Sequence, residues 1–268
     1  MLATPGLRAA PAVAGGHAAG MSPPPAVQLL EAGLPGPGRS VFTTRAGGVS
    51  CAPYDGLDLA LHVGDDPDAV HRNRTALADA VGLEPSALVF AEQVHGPGVA
   101  VVRAPVAGAL PGVDALVTST PELGLVVLAA DCVPVLLADP GAGVVAAAHA
   151  GRQGLAAGVL QATVQVMVGL GAARQEITAV LGPAVCGRCY EVPGALAADV
   201  ESHVPGSRST THRGTDSVDL LAGATGVLRG LGVQQVTQVG GCTVERADLF
   251  SYRRDGRTGR HAGLVLLR

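Results

Sequence analysis

The stretch AADCVPVLLADPGAGVVAAAHAGRQG, residues Ala129–Gly154, decides the fold. It and the residues just before it hold three short, nearly uncharged segments, Leu125–Ala130, Val133–Ala138 and Val144–Ala148, rich in Val, Leu and Ala. Segments of this length and composition read as buried strands, since each is too short to stand alone as a helix. Asp139-Pro140-Gly141 carries turn chemistry, so the last two segments are expected to pair as a hairpin. That hairpin brings Cys132, just before its first strand, close to His149, at the end of its second. A thiol and an imidazole at one end of a buried sheet are a nucleophile with its base or two ligands of a soft metal. A small buried thiol beside a hydrogen-bonded core histidine is the plain structural alternative.

The rest of the chain narrows the setting. With 268 residues, 48% of them hydrophobic and 15% charged, it is long enough and apolar enough for one large globular domain. All 18 basic residues are arginine, which fits a compositional bias and makes arginine abundance a poor sign of anion binding. A net charge of −4 gives no support to nucleic-acid binding. Apolar runs are broken by Asp, Pro and Gly before membrane-spanning length, and the first residues lack the pattern of a signal peptide. Cys51, Cys132, Cys186, Cys189 and Cys242 form an odd, scattered set, unlike a disulfide framework, which points to a reducing cytoplasm. Residues 1–26 are rich in Ala, Gly and Pro and are expected to be a disordered lead-in, with Met21 an alternative start, ahead of a domain over 27–268.

Further strands are expected at Val41–Thr44, Leu88–Val94, Val99–Val102, Ala115–Val117, Ile177–Leu181, Gln235–Gly240 and Gly263–Leu267. A helix follows Gly64, with Asp66 as N-cap, Pro67 at its first position and Gly82 at its end. Val70, Leu77 and Val81 share one face of it, which leaves Arg72 and Asn73 on the surface. Other helices are expected at Gln153–Leu170, Gly194–His203 and Val218–Leu231, with a polar loop at Ser251–Gly256. Strands outnumber helices and often follow one another directly, so the class is α+β with antiparallel or mixed sheets covered by helices. Neither nucleotide-binding glycine motif, G-x-x-x-x-G-K-[ST] or G-x-G-x-x-G after a strand, occurs.

His95, in a Gly/Pro turn after the Leu88–Val94 strand, joins Cys132 and His149 as a third soft or borderline donor at a strand end. Their spacing matches no local zinc signature; shared position at strand ends is what favours a site. Two imidazoles and a thiolate suit zinc and leave a fourth position for water or substrate. Cys186-x-x-Cys189 is a competing metal or redox pair, weakened because no second pair completes it. The loop Arg45–Ser50 is a tight turn or a backbone cradle for an anion.

FTTRAGGVS (Phe42–Ser50), LHVGDDPDAVHRNR (Leu61–Arg74), QVHG (Gln93–Gly96), ADCVPVLLAD (Ala130–Asp139), AAHAG (Ala147–Gly151), GPAVCGRCYEV (Gly182–Val192) and SYRRDGRTGRHAG (Ser251–Gly263) occur in one order. Together they resemble the laccase-domain family, whose members are called multicopper polyphenol oxidases, purine nucleoside phosphorylases and peptidoglycan editing factors. The resemblance spans roughly residues 40–267. It implies a single four-layer α/β/β/α domain, similar to the catalytic domain of cytotoxic necrotising factors. It implies zinc held by His95, Cys132 and His149; copper is the alternative ion there because affinity follows the Irving–Williams order. Arg45 and Arg74 match family arginines and are expected to contact substrate or phosphate, with a structural ion pair the alternative role for Arg74. Many members carry Trp-Arg after HAG, where this chain has Arg152-Gln153, so either Arg152 substitutes for that arginine from one position earlier or the contact is lost.

Three activities follow from the resemblance. A true multicopper oxidase needs about ten histidines for its four coppers; this chain has eight, and His17 falls in the lead-in. Purine nucleoside phosphorolysis at a zinc centre leads, acting on adenosine, inosine, guanosine and methylthioadenosine, with adenosine deamination as a related activity. Cys132, His149 and Arg45 are its expected catalytic residues, and Glu92 or Asp131 the proton carrier or outer support. The alternative is amide hydrolysis, with Cys132 as nucleophile and His149 as base, editing a misincorporated amino acid on a muramyl nucleotide. A zinc-stabilised binding domain without catalysis is the third reading. Partners are small molecules, without nucleic acid or membrane.

Overall fold

The computed structural model describes residues 26–36 and 38–268. The expected lead-in, apart from Ala26, and the alternative start at Met21 lie outside the described residues. In chain order the elements are β1 (Leu29–Glu31), β2 (Gly38–Thr43), α1 (Pro67–Val81), β3 (Leu88–Glu92), β4 (Val99–Val101), β5 (Ala109–Pro111), β6 (Ala115–Thr118), β7 (Gly124–Ala129), β8 (Val133–Asp139) and β9 (Val144–Ala150). They continue with α2 (Arg152–Ala156), α3 (Val159–Gly169), β10 (Thr178–Leu181), α4 (Gly194–His203), β11 (Arg208–Thr210), β12 (Asp216–Val218), α5 (Leu220–Gly230), β13 (Gln235–Gln238), α6 (Tyr252–Asp255) and β14 (His261–Leu267).

The first sheet has the order β1-β2-β14-β7-β3-β5 and the second β13-β10-β8-β9-β6-β4; both are mixed. Side-chain alternation along the strands explains how they stack. Leu125 and Val127 of β7 share an apolar core with Leu136 and Ala138 of β8, between the two sheets. The intervening residues face outward. Val126 and Leu128 pack with Leu77, Ala78 and Val81 of α1, while Val135 and Leu137 pack with Leu160, Val164 and Met167 of α3. Strands buried on both faces need apolar residues at every position, which is why β7, β8 and β9 read as continuous runs. The result is the α+β, four-layer α/β/β/α arrangement.

The β8–β9 hairpin forms in the register Val133↔Ala150 and Pro134↔His149, which sets His149 across from the residues that follow Cys132. Helix α1 starts at Asp66, whose carboxylate accepts the amide of Asp68, and ends at Gly82. Asn73 departs from the surface position expected of it. It is buried, donating to Ser50 Oγ and the Asp58 carbonyl and accepting from the Val49 amide, so it ties the Arg45–Asp58 loops to the helix. The single helix expected over 153–170 is two, because Gly158 takes a left-handed φ of 93° that interrupts the ladder between α2 and α3. The expected loop at 251–256 contains α6, capped by Ser251, whose hydroxyl accepts the Arg254 amide. The short strands β1, β5, β11 and β12 carry no apolar run that would have marked them.

Candidate metal centre

Three strand ends deliver the donors. His95 lies past β3 with φ 59°, Cys132 lies between β7 and β8, and His149 lies near the end of β9. One donor atom from each falls within 4.8 Å of the other two. The two imidazole rings meet edge to face, with centroids 4.8 Å apart and planes at 85°. Gly151 leaves room for this: a methyl there would stand 2.8 Å from His95 Cδ2 and 3.0 Å from Cys132 Sγ.

The turns that present these donors are backbone-strained, and carboxylates hold them. A non-glycine residue at positive φ needs local hydrogen bonds to offset its cost. Asp114, buried at the start of β6, accepts the amides of Val94, His95 and Gly96 at 3.0, 3.0 and 2.9 Å. The same carboxylate meets His149 Nδ1 at 2.8 Å, which places the proton on Nδ1 and turns Nε2 toward the other donors. Asp131, at φ 102°, accepts the hydroxyls of Thr243 and Ser251 and the amide of Arg253. Gln93 bridges to β7 through its side chain, donating to the Leu128 carbonyl and accepting its amide.

Electrostatics suit a soft cation. Burial opposes ionisation of Cys132, but the charge of His149 and hydrogen bonds from both histidines bring its thiol down to about 6. Burial likewise opposes charge on His149, yet Cys132 and Asp114 outweigh it and raise the imidazole to about 9. Asp114 lies below the usual carboxylate range, because His149 and the backbone amides overcome its burial. Two imidazoles and a ready thiolate are a zinc-compatible donor set, and all three side chains line one cavity.

That cavity, of about 410 Å³, is lined by His62, Tyr190, Tyr252, Arg253 and Arg260 as well as the three donors and Asp131. It combines aromatic walls with two guanidinium groups, a lining suited to a flat, anionic or phosphate-accompanied small molecule. His62 is held below the ordinary histidine value by burial and by the charges of Arg260 and Arg74.

The arginines singled out from the sequence lie elsewhere. Arg45 borders an outer cleft, paired with Asp55 at 2.7 Å and stacked over Phe250. Arg74 donates twice to the Leu59 carbonyl and covers the Phe90 ring at 3.7 Å. Arg152 opens α2 directly after Gly151. None of the three is among the residues lining the cavity, and neither is Glu92. Asp131 lines it, with both carboxylate oxygens already engaged. Sequence reasoning missed Asp114, His62, Tyr190, Tyr252, Arg253 and Arg260. All but Asp114 stand inside the motif blocks, while Asp114 was marked only by being a lone acid before the apolar segment Ala115–Val117.

The chain is similar over nearly all of its described length to proteins of one family. The sequence model described as multi-copper polyphenol oxidoreductase laccase matches residues 39–268. A purine nucleoside phosphorylase of Mycobacterium tuberculosis is 54% identical over 227 residues, covering 85% of this chain and 91% of that protein. One from Streptomyces griseus is 53% identical over 243 residues, covering 90% and 99%. Among solved structures, YlmD from Geobacillus stearothermophilus superposes with TM-score 0.84 at 32% identity, covering 91% of this chain and 100% of its own. Neisseria meningitidis protein NMB0706 gives 0.80 at 40% identity, covering 89% and 98%. Among the described residues no helix is long and apolar enough to cross a membrane.

Proposed function

The chain belongs to the multi-copper polyphenol oxidoreductase laccase family, and from that premise we propose that it is a zinc-dependent purine nucleoside phosphorylase. The observation that carries the reading is the convergence of His95, Cys132 and His149 at the wall of a cavity that also holds Arg253, Arg260 and two tyrosines. The names of its relatives from M. tuberculosis and S. griseus support the same chemistry. Adenosine, inosine, guanosine and methylthioadenosine are the proposed substrates.

In this reading an oxygen of inorganic phosphate forms a bond to the anomeric carbon of the ribose as the bond from that carbon to the purine nitrogen breaks. The bonding pair leaves with the purine, whose nitrogen takes up the proton that the attacking hydrogen phosphate gives up. Zinc held by His95, Cys132 and His149 would supply Lewis-acid charge to stabilise electron density developing in the substrate. Arg253 and Arg260 hold the phosphate through charge-assisted hydrogen bonds. The rings of Tyr190 and Tyr252 flank the flat base, and uncharged His62 hydrogen-bonds it. Asp114 orients His149 and His95; Asp131 fixes the backbone of Arg253. Arg74 acts through its hold on Leu59, which places the segment carrying His62. Arg45 orders the outer loop, and neither Arg45 nor Arg152 is given a phosphate contact.

Metal-defined protein incubated with each nucleoside and phosphate tests this. Free purine and ribose 1-phosphate (5-methylthioribose 1-phosphate from methylthioadenosine) are expected, lost on chelation and restored by zinc. Inosine formed from adenosine without phosphate marks deamination as the accompanying activity; copper restoring activity better than zinc reverses the choice of metal.

A second reading rests on the depressed Cys132 thiol beside His149 and Asp114, the arrangement of a cysteine hydrolase acting on a muramyl-precursor amide. It replaces the first if chelation leaves turnover intact while thiol alkylation abolishes it.

A further inference from the structure

Cys186-x-x-Cys189 lacks a partner pair in the sequence, but the fold supplies one. Beyond β10 the chain turns at Cys186–Tyr190, where the amides of Cys189 and Tyr190 both bond the Cys186 carbonyl, at 2.9 and 3.1 Å. Cys242 is drawn beside this turn by a parallel bridge with Ala184 and by the Thr243 amide donating to the Ala184 carbonyl at 3.1 Å. Three residues on, Glu245 completes a Cys242-x-x-Glu245 turn, closed by the Arg246 amide on the Cys242 carbonyl. Two x-x turns thus face each other, fifty-odd residues apart in sequence, one with two thiols and one with a thiol and a carboxylate.

Donor atoms of Cys186, Cys189, Cys242 and Glu245 all lie within 4.8 Å of one another. In a tetrahedron with metal–sulfur bonds near 2.3 Å, sulfur–sulfur edges are about 3.8 Å and sulfur–oxygen edges about 3.5 Å. Cys189 Sγ stands 3.5 Å from Glu245 Oε1, and the Cys186 amide donates to Cys242 Sγ at 3.4 Å. All three thiols are free. Cys242 is buried, Cys186 and Cys189 are half-buried, and Glu245 is exposed, so the group is reachable from solvent through the carboxylate side.

We propose that Cys186, Cys189, Cys242 and Glu245 form a second metal site, a closed four-donor structural centre for a thiophilic divalent cation of the zinc class. Its place gives it a role. One turn continues into Tyr190, and Val185 precedes it; both line the cavity. The other leads through Thr243, bonded to Asp131, to Ser251, Tyr252 and Arg253. An ion here fastens together two walls of the cavity, and it does so whatever reaction the cavity performs.

The test removes the first site. Full-length C132A/H149A protein, loaded with zinc and dialysed, is expected to retain one equivalent by elemental analysis, and adding Cys189→Ser is expected to abolish it. Cobalt loaded into the same double variant is expected to show thiolate charge-transfer absorption that Cys186→Ser removes. Glu245→Gln, which changes one exposed donor and leaves the thiols in place, is expected to weaken zinc at least about tenfold in competition with a chromophoric chelator. This variant covers the case in which Cys189→Ser does not fold. The proposal is overturned if the double variant holds no zinc, if Glu245→Gln binds as tightly as its parent, or if protein purified under reducing conditions yields a Cys186–Cys189 or Cys186–Cys242 disulfide.

Discussion

The carboxylate of Asp114 stands 2.8 Å from Nδ1 of His149 while also accepting the amides on either side of, and at, His95. One buried side chain therefore aims two histidines that are 54 positions apart in the chain. Asp114→Asn keeps the shape but halves the acceptors and removes the charge. Zinc affinity is expected to fall about 10–100-fold, read by chelator competition. Unchanged affinity with unchanged activity removes Asp114 from the site.

Gly151→Ala probes the same centre sterically. Its φ of −74° accepts alanine without backbone strain, yet the new methyl meets His95, Cys132 and His149 together. Metal occupancy is expected to drop to roughly a tenth or less, because the donors cannot close on one ion. Metal-free thermal unfolding should stay near wild type. Full occupancy by elemental analysis contradicts the convergence.

Cys132 should be the reactive thiol of the metal-free protein. Its value is lowered to about 6, so thiolate persists down to that pH and is lost below it. Alkylation at Cys132, followed by peptide mass, is expected to reach half its maximal rate near pH 6. Cys186 and Cys189, which burial and their neighbouring thiols push up, should react only at much higher pH. A Cys132 midpoint near that of an ordinary thiol rejects the ion pair with His149.

Arg253→Gln tests the anion contact. Losing a hydrogen bond to a charged partner costs about 1.5–3 kcal/mol, so KM for phosphate should rise roughly 10–100-fold with a smaller change in kcat. An effect confined to nucleoside KM moves the phosphate elsewhere.

His261 makes stability depend on pH apart from the site's chemistry. It is wholly buried at the start of β14, its Nε2 is 3.4 Å from the Pro183 carbonyl, and burial lowers its value from 6.5 to about 4. The folded chain holds fewer protons than the unfolded one between those values, so this contribution is complete above pH 6.5 and lost as pH falls toward 4. It amounts to at most about 3 to 4 kcal/mol, at 1.36 kcal/mol for each pH unit between the two values. His261→Gln should flatten that part of the denaturation profile; identical profiles for the two proteins exclude the histidine as its source.

What was legible in the sequence follows from what leaves a local mark. Strands β7 to β9 announce themselves because burial on both faces demands an unbroken apolar run, and Asp66, Pro67 and Gly82 punctuate α1. The donors His95, Cys132 and His149 could be named because each stands at the end of such a run. The arginines could not be sorted the same way: a guanidinium reaches far, and Arg45 and Arg74 turn toward Asp55 and Leu59 instead of the cavity. Asp114 and the Cys242–Glu245 turn depend on pairings across the fold, which no window of sequence displays.

The donors straddle both sheets: β3 and β7 belong to the first, β8 and β9 to the second, and Cys132 sits on the link that passes between them. A half-assembled chain with one sheet formed therefore has no place where the ion can seat. If His95, Cys132 and His149 hold a metal, its uptake has to follow docking of the two sheets, so metal-free protein is expected to be folded before it is loaded.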